Sequence, residues 1–452
     1  MQLKDKRVLV FGAGKSGVSS VRLLQKQGAS AILYDSNTKL TTENFQDKFD
    51  TAHNFTLVTG ELPQEVIDSL DLFVISPGIA IDNPVAERIK AKGIPVWGEI
   101  ELAYRFAKGK VIGITGTNGK TSTTTLVGEI MKTYFKEVYV VGNIGNPYTE
   151  VAMETTEESI CVIELSSFQL ETIHEFRPEV SAILNITPDH LDRHHTMETY
   201  IAMKENVAKN QTMSELCVLN YEDEILRETA KHLPTRILFY SSTRPLENGL
   251  FMEGDDIYYS TAGKRELVCN INELKVLGRH MYENIMAAVG IAVTMGIPMS
   301  YIHTALINFR AVEHRIEFVE TIGGVTYYND SKGTNPDASI KAVQAMVSPT
   351  LVIGGGYDKH VAFDEWIKSF EGKVKLLVLL GQTRDQIAET AGRYGFHNIL
   401  MAEDLQEAVR ICAQRAVPGD AVLLSPACAS WGMFENYEQR GRMFKEFVRA
   451  LK

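Results

Sequence analysis

An apolar stretch, Val111 to Thr115, runs directly into the glycine-rich segment Gly116-Thr117-Asn118-Gly119-Lys120-Thr121, and a helical pattern follows as far as Met131. A strand, a glycine loop and a helix in this order are typical of a phosphate-binding loop, in which backbone N–H groups and the helix N-terminus face the phosphates. Lys120 would supply a positive charge there, and the Thr121 hydroxyl can reach Mg²⁺. The alternative is an ordinary glycine-rich turn. We favour the phosphate loop and predict that the chain binds ATP.

The length of 452 residues exceeds what one hydrophobic core serves and suggests about three domains. Hydrophobic residues at 44% and charged residues at 23% are typical of globular domains. We predict three domains, which span residues 1–107, 108–311 and 312–452.

The net charge of −11 argues against nucleic acid as a partner. The N-terminus lacks the apolar core of a signal peptide, and no run of ~18 apolar residues occurs, so we expect a cytoplasmic protein without a membrane partner. Five scattered cysteines without Cys-x-x-Cys spacing indicate reduced thiols and argue against a structural zinc site. We expect a monomer that acts on small molecules.

The N-terminal segment carries the fingerprint of a dinucleotide-binding fold. The strand Arg7 to Phe11 enters Gly12-Ala13-Gly14-Lys15-Ser16-Gly17, a helical pattern follows, and a second strand ends in Asp35. This pattern fits an NAD(P) site or a related fold that holds a nucleotide-sugar diphosphate. The unit finishes near Ala107 and leaves no room for a separate hydride-acceptor domain before the ATP loop, which favours the nucleotide sugar. A later turn, Ser76-Pro77-Gly78-Ile79, can also approach a phosphate.

The central segment reads as a parallel sheet buried on both faces, because its strands are near-continuous apolar runs: Val111 to Thr115, Ile160 to Glu164 and Val180 to Ile186. Ligands of such sheets lie beyond the carboxyl ends of the strands. Glu164 ends one strand and is placed to hold Mg²⁺. His190 follows the next strand; alone it reads as a hydrogen-bonded loop histidine, but its neighbours favour a ligand role.

Lys204 interrupts an apolar helical face. If residues 197–210 form a helix, Tyr200, Lys204, Val207 and Ala208 share one side. A lysine in a core loses its proton readily, and the neutral amine reacts with CO₂ to give a carbamate that can bind metal. The alternative is a lysine whose charged end extends to solvent. We hypothesise that Lys204 is carboxylated.

The C-terminal segment reads as a third α/β unit with strands over residues 325–329, 351–353, 376–380, 399–401 and 421–424. Pro336, with Asn335 as the cap, marks a helix N-terminus suited to an anion. Lys359 and Ser430 each follow a strand, and as a pair they suit a subsite for the carboxylates of an amino acid. Asn284, on an amphipathic helix, suits either a nucleotide contact or a surface position.

Taken together, these segments resemble the Mur ligase family over the whole chain. The motifs that carry the resemblance are Gly116 to Thr121, Glu164-Leu165-Ser166-Ser167-Phe168-Gln169-Leu170, Asn185-Ile186-Thr187-Pro188-Asp189-His190-Leu191-Asp192-Arg193, Glu313-His314-Arg315, Asn329-Asp330-Ser331-Lys332-Gly333-Thr334-Asn335 and Ser425-Pro426-Ala427-Cys428-Ala429-Ser430. The resemblance implies an α/β fold of three domains: an N-terminal Rossmann-like domain, a central phosphate-loop ATPase-like domain with a parallel sheet, and a C-terminal Rossmann-like domain.

The resemblance also implies an activity, the ATP-driven joining of D-glutamate to UDP-N-acetylmuramoyl-L-alanine in peptidoglycan precursor synthesis, through an acyl phosphate and a tetrahedral intermediate. A ligase for another amino acid and a folylpolyglutamate synthetase are the alternatives within this class. A nucleotide-dependent switch protein and an NAD dehydrogenase are alternatives from other classes. Ligands from separate domains would favour hinge closure around residues 311–313.

Site residues follow from the resemblance position by position. ATP would be bound by the phosphate loop with Asn284, Arg315 and Asp330, and Lys120, His190 and Lys204 would be catalytic. Two Mg²⁺ sites would use Thr121, Glu164, His190 and carbamylated Lys204. The UDP substrate would be held by Lys15, Ser16, Asp35, Ser36, Gly78 and Asn143. D-Glutamate would be held by Lys332, Thr334, Lys359, Ser430, Trp431 and Tyr437.

Overall fold

The structure, a computed structural model, describes residues 2–49, 55–310, 313–359 and 361–452. Contacts divide the chain into two compact units, one made of Met1–Asn270 with Glu283–Leu306 and the other of Ile271–Tyr282 with Ile307–Lys452. The first unit holds a five-stranded and a nine-stranded sheet, and the second holds a six-stranded sheet. Ala311 and Val312, where we predicted a domain boundary and a hinge, lie outside the described residues.

The five-stranded sheet is parallel, in the order β3-β2-β1-β4-β5. Its elements are β1 Arg7–Phe11, α1 Lys15–Lys26, β2 Ser30–Asp35, β3 Thr56–Thr59, α2 Gln64–Asp68, β4 Leu72–Ile75, α3 Pro84–Lys90, β5 Val96–Gly98 and α4 Glu99–Tyr104. A Cβ at Gly17 would lie 1.8 Å from the Gly12 carbonyl oxygen, so only glycine lets α1 pack this closely on the turn after β1. Asp35 ends β2, as the fingerprint predicted.

The nine-stranded sheet has the order β14-β13-β12-β11-β10-β9-β6-β8-β7. Its strands are β6 Lys110–Thr115, β7 Val138–Gly142, β8 Ile160–Glu164, β9 Val180–Ile183, β10 Leu216–Asn220, β11 Arg236–Ser241, β12 Gly249–Glu253, β13 Asp256–Thr261 and β14 Lys264–Asn270. Strands β6 to β12 run parallel, and β13 and β14 form an antiparallel edge. The strand predicted to reach Ile186 ends at Ile183, because the chain then bonds to the phosphate loop.

The helices of this part are α5 Lys120–Lys132, α6 Tyr148–Val151, α7 Ser167–Leu170, α8 Leu191–His194, α9 Met197–Glu205, α10 Glu224–Thr229, α11 Arg279–Thr294 and α12 Met299–Asn308. The helix predicted over residues 197–210 is shorter, since α9 ends at Glu205 and a 3₁₀ turn, Asn206–Ala208, follows. Tyr200, Lys204, Val207 and Ala208 are nevertheless all buried. The predicted placement of Lys204 on a buried face is confirmed.

The six-stranded sheet has the order β15-β16-β20-β17-β18-β19, and only β15 is antiparallel to its neighbour. Its elements are β15 Glu317–Ile322, β16 Val325–Asn329, α13 Pro336–Ala345, β17 Thr350–Gly354, α14 Asp364–Lys368, β18 Val374–Leu379, α15 Arg384–Arg393, β19 Ile399–Met401, α16 Leu405–Arg415, β20 Ala421–Leu424 and α17 Tyr437–Arg449. The Asn335 side chain accepts from Ala338 N, so the predicted cap is confirmed. All three sheets confirm the predicted fold class.

All five cysteines are buried free thiols: Cys161, Cys217, Cys269, Cys412 and Cys428. Among the described helices, none has both the length and the apolar character required to cross a lipid bilayer.

Candidate active site

The segment between β6 and α5 has the shape of an anion-binding loop. Gly116 and Gly119 adopt φ angles of +149° and +85°, and these conformations suit glycine at the two ends of a tight loop. The loop delivers the chain into α5, whose first backbone N–H groups lack intrahelical acceptors and point out of the helix end. That end of α5 therefore provides donors and a positive dipole for a phosphate.

Two lysines meet on one carbonyl oxygen of this loop. The Lys120 Nζ donates to Gly116 O at 2.9 Å and to Thr117 O at 2.9 Å, and the Lys204 Nζ donates to Gly116 O at 2.8 Å. Lys204 is only 1% exposed. Burial first, and the Lys120 charge second, lower the pKa of Lys204 to about 7. A large share of this amine is therefore neutral near neutral pH.

Glu164 lies at the carboxyl end of β8, which pairs with β6 beside the loop. The carboxylate is 2% exposed. Its Oε1 accepts from Asn143 Nδ2 at 2.7 Å, whereas its buried Oε2 has no hydrogen-bond partner among the described residues. A buried carboxylate oxygen without a donor is costly unless a cation or proton occupies the position beside it. This observation fits a metal ligand.

His190 precedes α8 and is half exposed, with a side-chain exposure of 50%. It has a left-handed φ of +52°, and its ring centroid lies 4.9 Å from that of Phe168. The neighbouring His194 is buried: its Nε2 lies 2.9 Å from Ser167 Oγ, and burial lowers its pKa. Of these two histidines, His190 is the one whose ring is exposed to a ligand.

Asn284, near the start of α11, lies against the phosphate loop. A Cβ added to Gly119 would be 2.3 Å from Asn284 Oδ1, so no larger residue fits at that glycine without moving the amide. The structure therefore brings Asn284 to the loop, as a nucleotide contact requires.

The glycine turn after β1 is tied to Asp35. One carboxylate oxygen of Asp35 accepts from Ala13 N at 2.8 Å and the other accepts from Asn37 N at 2.9 Å. Lys15 extends from the same turn and donates to Gly145 O at 2.7 Å and Asn146 Oδ1 at 3.0 Å. Ser36, Ser16 and Gly78 lie at the same carboxyl edge, following β2, β1 and β4.

Arg193 connects the turn after β4 with the helix that follows His190. Its Nη2 donates to Ile79 O at 3.0 Å and to Glu171 Oε2 at 2.7 Å. The guanidinium also lies 4.5 Å from the centroid of the Phe168 ring. The side chain is thus held on three sides, and it joins the predicted UDP-substrate turn to the predicted metal site.

In the second unit, Asp330 follows β16 and is buried. Its Oδ2 accepts from Ser425 Oγ at 2.8 Å, and its Oδ1 accepts from Ile316 N at 3.3 Å. Burial raises the pKa of Asp330 to about 7, and the Ser425 hydrogen bond and the Arg315 charge oppose this rise only in part. This carboxyl is poised to gain or lose a proton near neutral pH.

Four of the residues predicted to hold an amino acid form two cation–π pairs. The Lys359 Nζ lies 5.2 Å from the centroid of Trp431, and the Lys332 Nζ lies 5.6 Å from that of Tyr437. Ser430 is buried after β20, whereas Trp431 is 56% exposed. A cavity of about 410 Å³ opens beside Trp431. Two ammonium groups held beside aromatic rings suit a ligand with carboxylates.

Comparisons with known proteins agree with this geometry. The Mur ligase MurD-like N-terminal domain matches residues 6–98, the Mur ligase middle domain matches residues 114–292, and the Mur ligase glutamate ligase domain matches residues 314–428. The chain belongs to the Mur ligase family. This Mur ligase is 56% identical over 452 residues to a protein of Lachnoclostridium phytofermentans named UDP-N-acetylmuramoylalanine--D-glutamate ligase, with all of both chains covered.

A Clostridioides difficile protein of the same name is 45% identical over 453 residues, again with both chains covered in full. Among solved structures, the Thermotoga maritima UDP-N-acetylmuramate-alanine ligase MurC shares the fold of this Mur ligase, with a TM-score of 0.60, 19% identity and coverage of 99% of this chain and 100% of that one. MurF ligase of the same organism, solved with ADP, gives a TM-score of 0.59, 17% identity and coverage of 100% and 97%.

The sequence analysis did not predict a role for Arg440 of this Mur ligase, although this residue joins two loops of the second unit. It is 2% exposed, and it donates to Ser331 O at 2.8 Å and to Cys428 O at 3.2 Å. It therefore holds together the two loops that carry the predicted amino-acid residues. Its place on one helical face with Phe444 and Val448 is the signal that would have found it, the same signal that pointed to Lys204.

Proposed function

We propose that this chain is an ATP-dependent ligase that joins D-glutamate to UDP-N-acetylmuramoyl-L-alanine in the synthesis of peptidoglycan precursors. The observation that carries the proposal is its full-length similarity to ligases of that name, at 56% and 45% identity. The geometry supports each part of the reaction separately.

ATP phosphates would bind the loop and the N-terminus of α5. The Lys120 ammonium already lies on the loop carbonyls and would exchange them for phosphate oxygens, which are stronger acceptors because they are charged. Thr117, Asn118 and Gly119 shape the loop, and Asn284 contributes an amide beside it. Arg315 and Asp330 are the further ATP-binding residues of this proposal.

Mg²⁺ would be held at two sites by Thr121, Glu164, His190 and a carbamate on Lys204. The unpartnered Oε2 of Glu164 offers the oxygen ligand that Mg²⁺ prefers. The half-exposed ring of His190 would add a nitrogen ligand. The neutral amine of Lys204, with a pKa of about 7, can add to CO₂ and release a proton. When bound, the ions would supply positive charge that stabilises phosphoryl transfer.

The UDP substrate would bind the N-terminal segment through Lys15, Ser16, Asp35, Ser36 and Gly78, with Asn143 nearby. Support comes from the position of these residues at the carboxyl edge of the five-stranded sheet, where ligands of open α/β sheets bind. D-Glutamate would bind through Lys332, Thr334, Lys359, Ser430, Trp431 and Tyr437. The ammonium groups of Lys332 and Lys359, each beside an aromatic ring, support this.

The proposed reaction has two steps. A substrate carboxylate attacks the γ-phosphate of ATP, which gives an acyl phosphate and ADP. The amine of D-glutamate then attacks the acyl carbon, a tetrahedral intermediate forms, and phosphate leaves as the amide bond is made. Two anions must approach each other in the first step, so Lys120 and the N-terminus of α5 have to offset their repulsion.

The domain boundaries at residues 1–107, 108–311 and 312–452 are part of this proposal, with one substrate assigned to each domain. We also propose that the enzyme works in the cytoplasm, because ATP and UDP-linked sugars are the substrates proposed. We further propose that it is a monomer. Sedimentation equilibrium measures the monomeric state directly.

Release of ADP and phosphate, measured over a panel of amino acids with UDP-N-acetylmuramoyl-L-alanine as acceptor, tests the function. We expect ADP and phosphate release with D-glutamate and with no other amino acid of the panel. Release with another amino acid would indicate a ligase of different specificity, and release with a folate acceptor would indicate a folylpolyglutamate synthetase. ATP binding without release under any of these conditions would favour a switch protein.

A further inference from the structure

Asn185, the second residue after β9, forms two side-chain hydrogen bonds with the backbone of one residue of the phosphate loop, Asn118. Its Oδ1 accepts from Asn118 N at 2.8 Å, and its Nδ2 donates to Asn118 O at 3.0 Å. The backbone oxygen of Asn185 also accepts from Thr117 N at 2.9 Å. One residue thus satisfies three backbone groups of the two loop residues that lie between Gly116 and Gly119.

These bonds matter because the loop has little structure of its own. Gly116 and Gly119 both have positive φ, and glycine loses more conformational freedom on ordering than any other residue. A flexible loop would have to lose that freedom each time a phosphate binds, which weakens binding. The side chain of Asn185 supplies the order in advance.

The same segment continues to the metal-binding side of the site. Thr117 Oγ1 lies 3.1 Å from Thr187 O and accepts from Thr187 N at 3.1 Å, and it also lies 3.1 Å from the Tyr200 hydroxyl. Residues 185–187 therefore lie beside two loop residues, Thr117 and Asn118, before the chain reaches His190. The loop and the His190 segment share one framework.

We infer that Asn185 is a positioning residue for nucleotide binding: its amide clamps the backbone N–H and C=O of Asn118 and holds the phosphate loop in its binding shape without touching the nucleotide. This inference rests on the proposed role of the loop in binding ATP. Loss of the Asn185 side-chain bonds should therefore weaken the binding of ADP and ATP and leave the affinity for D-glutamate unchanged.

Isothermal titration with MgADP tests the clamp. Asn185→Leu has nearly the same shape and removes both side-chain bonds, and we expect about tenfold weaker MgADP binding, as losing hydrogen bonds that order a loop predicts. The KM for ATP should rise by a similar factor, while the KM for D-glutamate stays within about twofold of wild type. Amide hydrogen exchange over residues 116–121 should accelerate in the variant.

Gln211 provides a matched control in the same sheet. Its buried amide accepts from Ser181 Oγ at 2.8 Å and donates to Pro178 O at 2.9 Å, so it also joins two segments, but at the amino end of β9. Gln211→Met removes those bonds, and we expect stability to fall while MgADP affinity stays unchanged.

Equal MgADP affinity in wild type and Asn185→Leu would overturn the inference, and so would an equal loss of affinity in Asn185→Leu and Gln211→Met. If Asn185→Leu does not fold, Asn185→Asp keeps the acceptor for Asn118 N but faces the Asn118 carbonyl with a second oxygen, and the same expectations apply.

A wild-type protein that does not bind MgADP would instead overturn the proposed nucleotide site. The clamp would then be decided by hydrogen exchange alone, since unchanged exchange over residues 116–121 refutes it.

Discussion

Replacing Asp330 with asparagine should stabilise the protein while reducing its activity. The carboxyl group is buried, and burial raises its pKa from 3.8 to about 7. A carboxyl whose folded-state pKa exceeds its unfolded one contributes most to stability below the unfolded pKa, and that contribution is lost as pH rises through the folded pKa. In the wild-type protein the loss therefore begins near pH 3.8 and is complete just above pH 7.

The size of the effect follows from the same two values. At about 1.4 kcal/mol per pH unit, the penalty reaches about 2 kcal/mol at pH 5 and about 4 kcal/mol at pH 8. Asparagine removes it and fits the site: its oxygen can still accept from Ile316 N. Its amide can donate to Ser425 Oγ, whose hydroxyl proton can turn to Ser339 Oγ, 2.8 Å away. The free energy of unfolding of Asp330→Asn should therefore exceed that of wild type, and by more at pH 8.

Urea unfolding of the ligand-free protein at pH 5 and pH 8, followed by tryptophan fluorescence, measures this difference, because Trp366 is buried in the same unit. Changes in hydrogen bonding act equally at both pH values, so a gain that grows by about 2 to 3 kcal/mol between them reports the carboxyl itself. Asp420→Asn is the control: it breaks the 2.7 Å ion pair with Lys375 and should destabilise. A gain for Asp330→Asn that is the same at both pH values, or no gain at pH 8, would refute the reasoning.

Four further outcomes are expected from single substitutions. Lys120→Ala should abolish turnover without unfolding the chain, as steady-state assays and circular dichroism would show; normal turnover in the folded variant would remove the loop from the mechanism. Glu164→Gln should weaken Mg²⁺ binding at least tenfold in titration calorimetry, because it neutralises the oxygen that lacks a donor. Lys204→Met should eliminate a ¹³C-carbamate NMR signal that wild type shows in ¹³C-bicarbonate, and a wild-type spectrum without that signal would contradict carboxylation. Gly17→Ala should lower the melting temperature by several degrees, since its Cβ would lie 1.8 Å from Gly12 O; an unchanged melting curve would show that α1 can shift.

Local pattern was enough to predict the elements that carry the site. The apolar run and glycines between Val111 and Thr121 specify a strand, a loop and a helix, and the structure places β6 and α5 there. Asn335 before Pro336 predicted a capped helix start, because the preferences of these residues are set by their own backbone. Helical periodicity also placed Lys204 on the apolar face of its helix, but it left open whether the ammonium group reached solvent. Each of these signals spans fewer than about twenty residues.

Contacts between distant segments were not predictable in this way. The Asn185 amide meets a loop 67 residues earlier, and Arg193 meets Ile79 O across 114 residues. Glu101 shows the same limit: its carboxylate is fully buried and accepts from the backbone of His174, Glu175 and Phe176. A sequence pattern records that a residue is polar, but the partner that satisfies it depends on how strands align in the finished sheet.

The burial of every cysteine has a practical consequence for observing this enzyme at work. Burial raises the pKa of Cys161 and Cys428 to about 11 and that of Cys217 to about 12, so these thiols resist alkylation near neutral pH. Met213 and Val347 lie on different units and are 69% and 80% exposed. Cysteines introduced at these two positions would accept maleimide dyes on the natural background, and energy transfer between the dyes would test the predicted hinge closure.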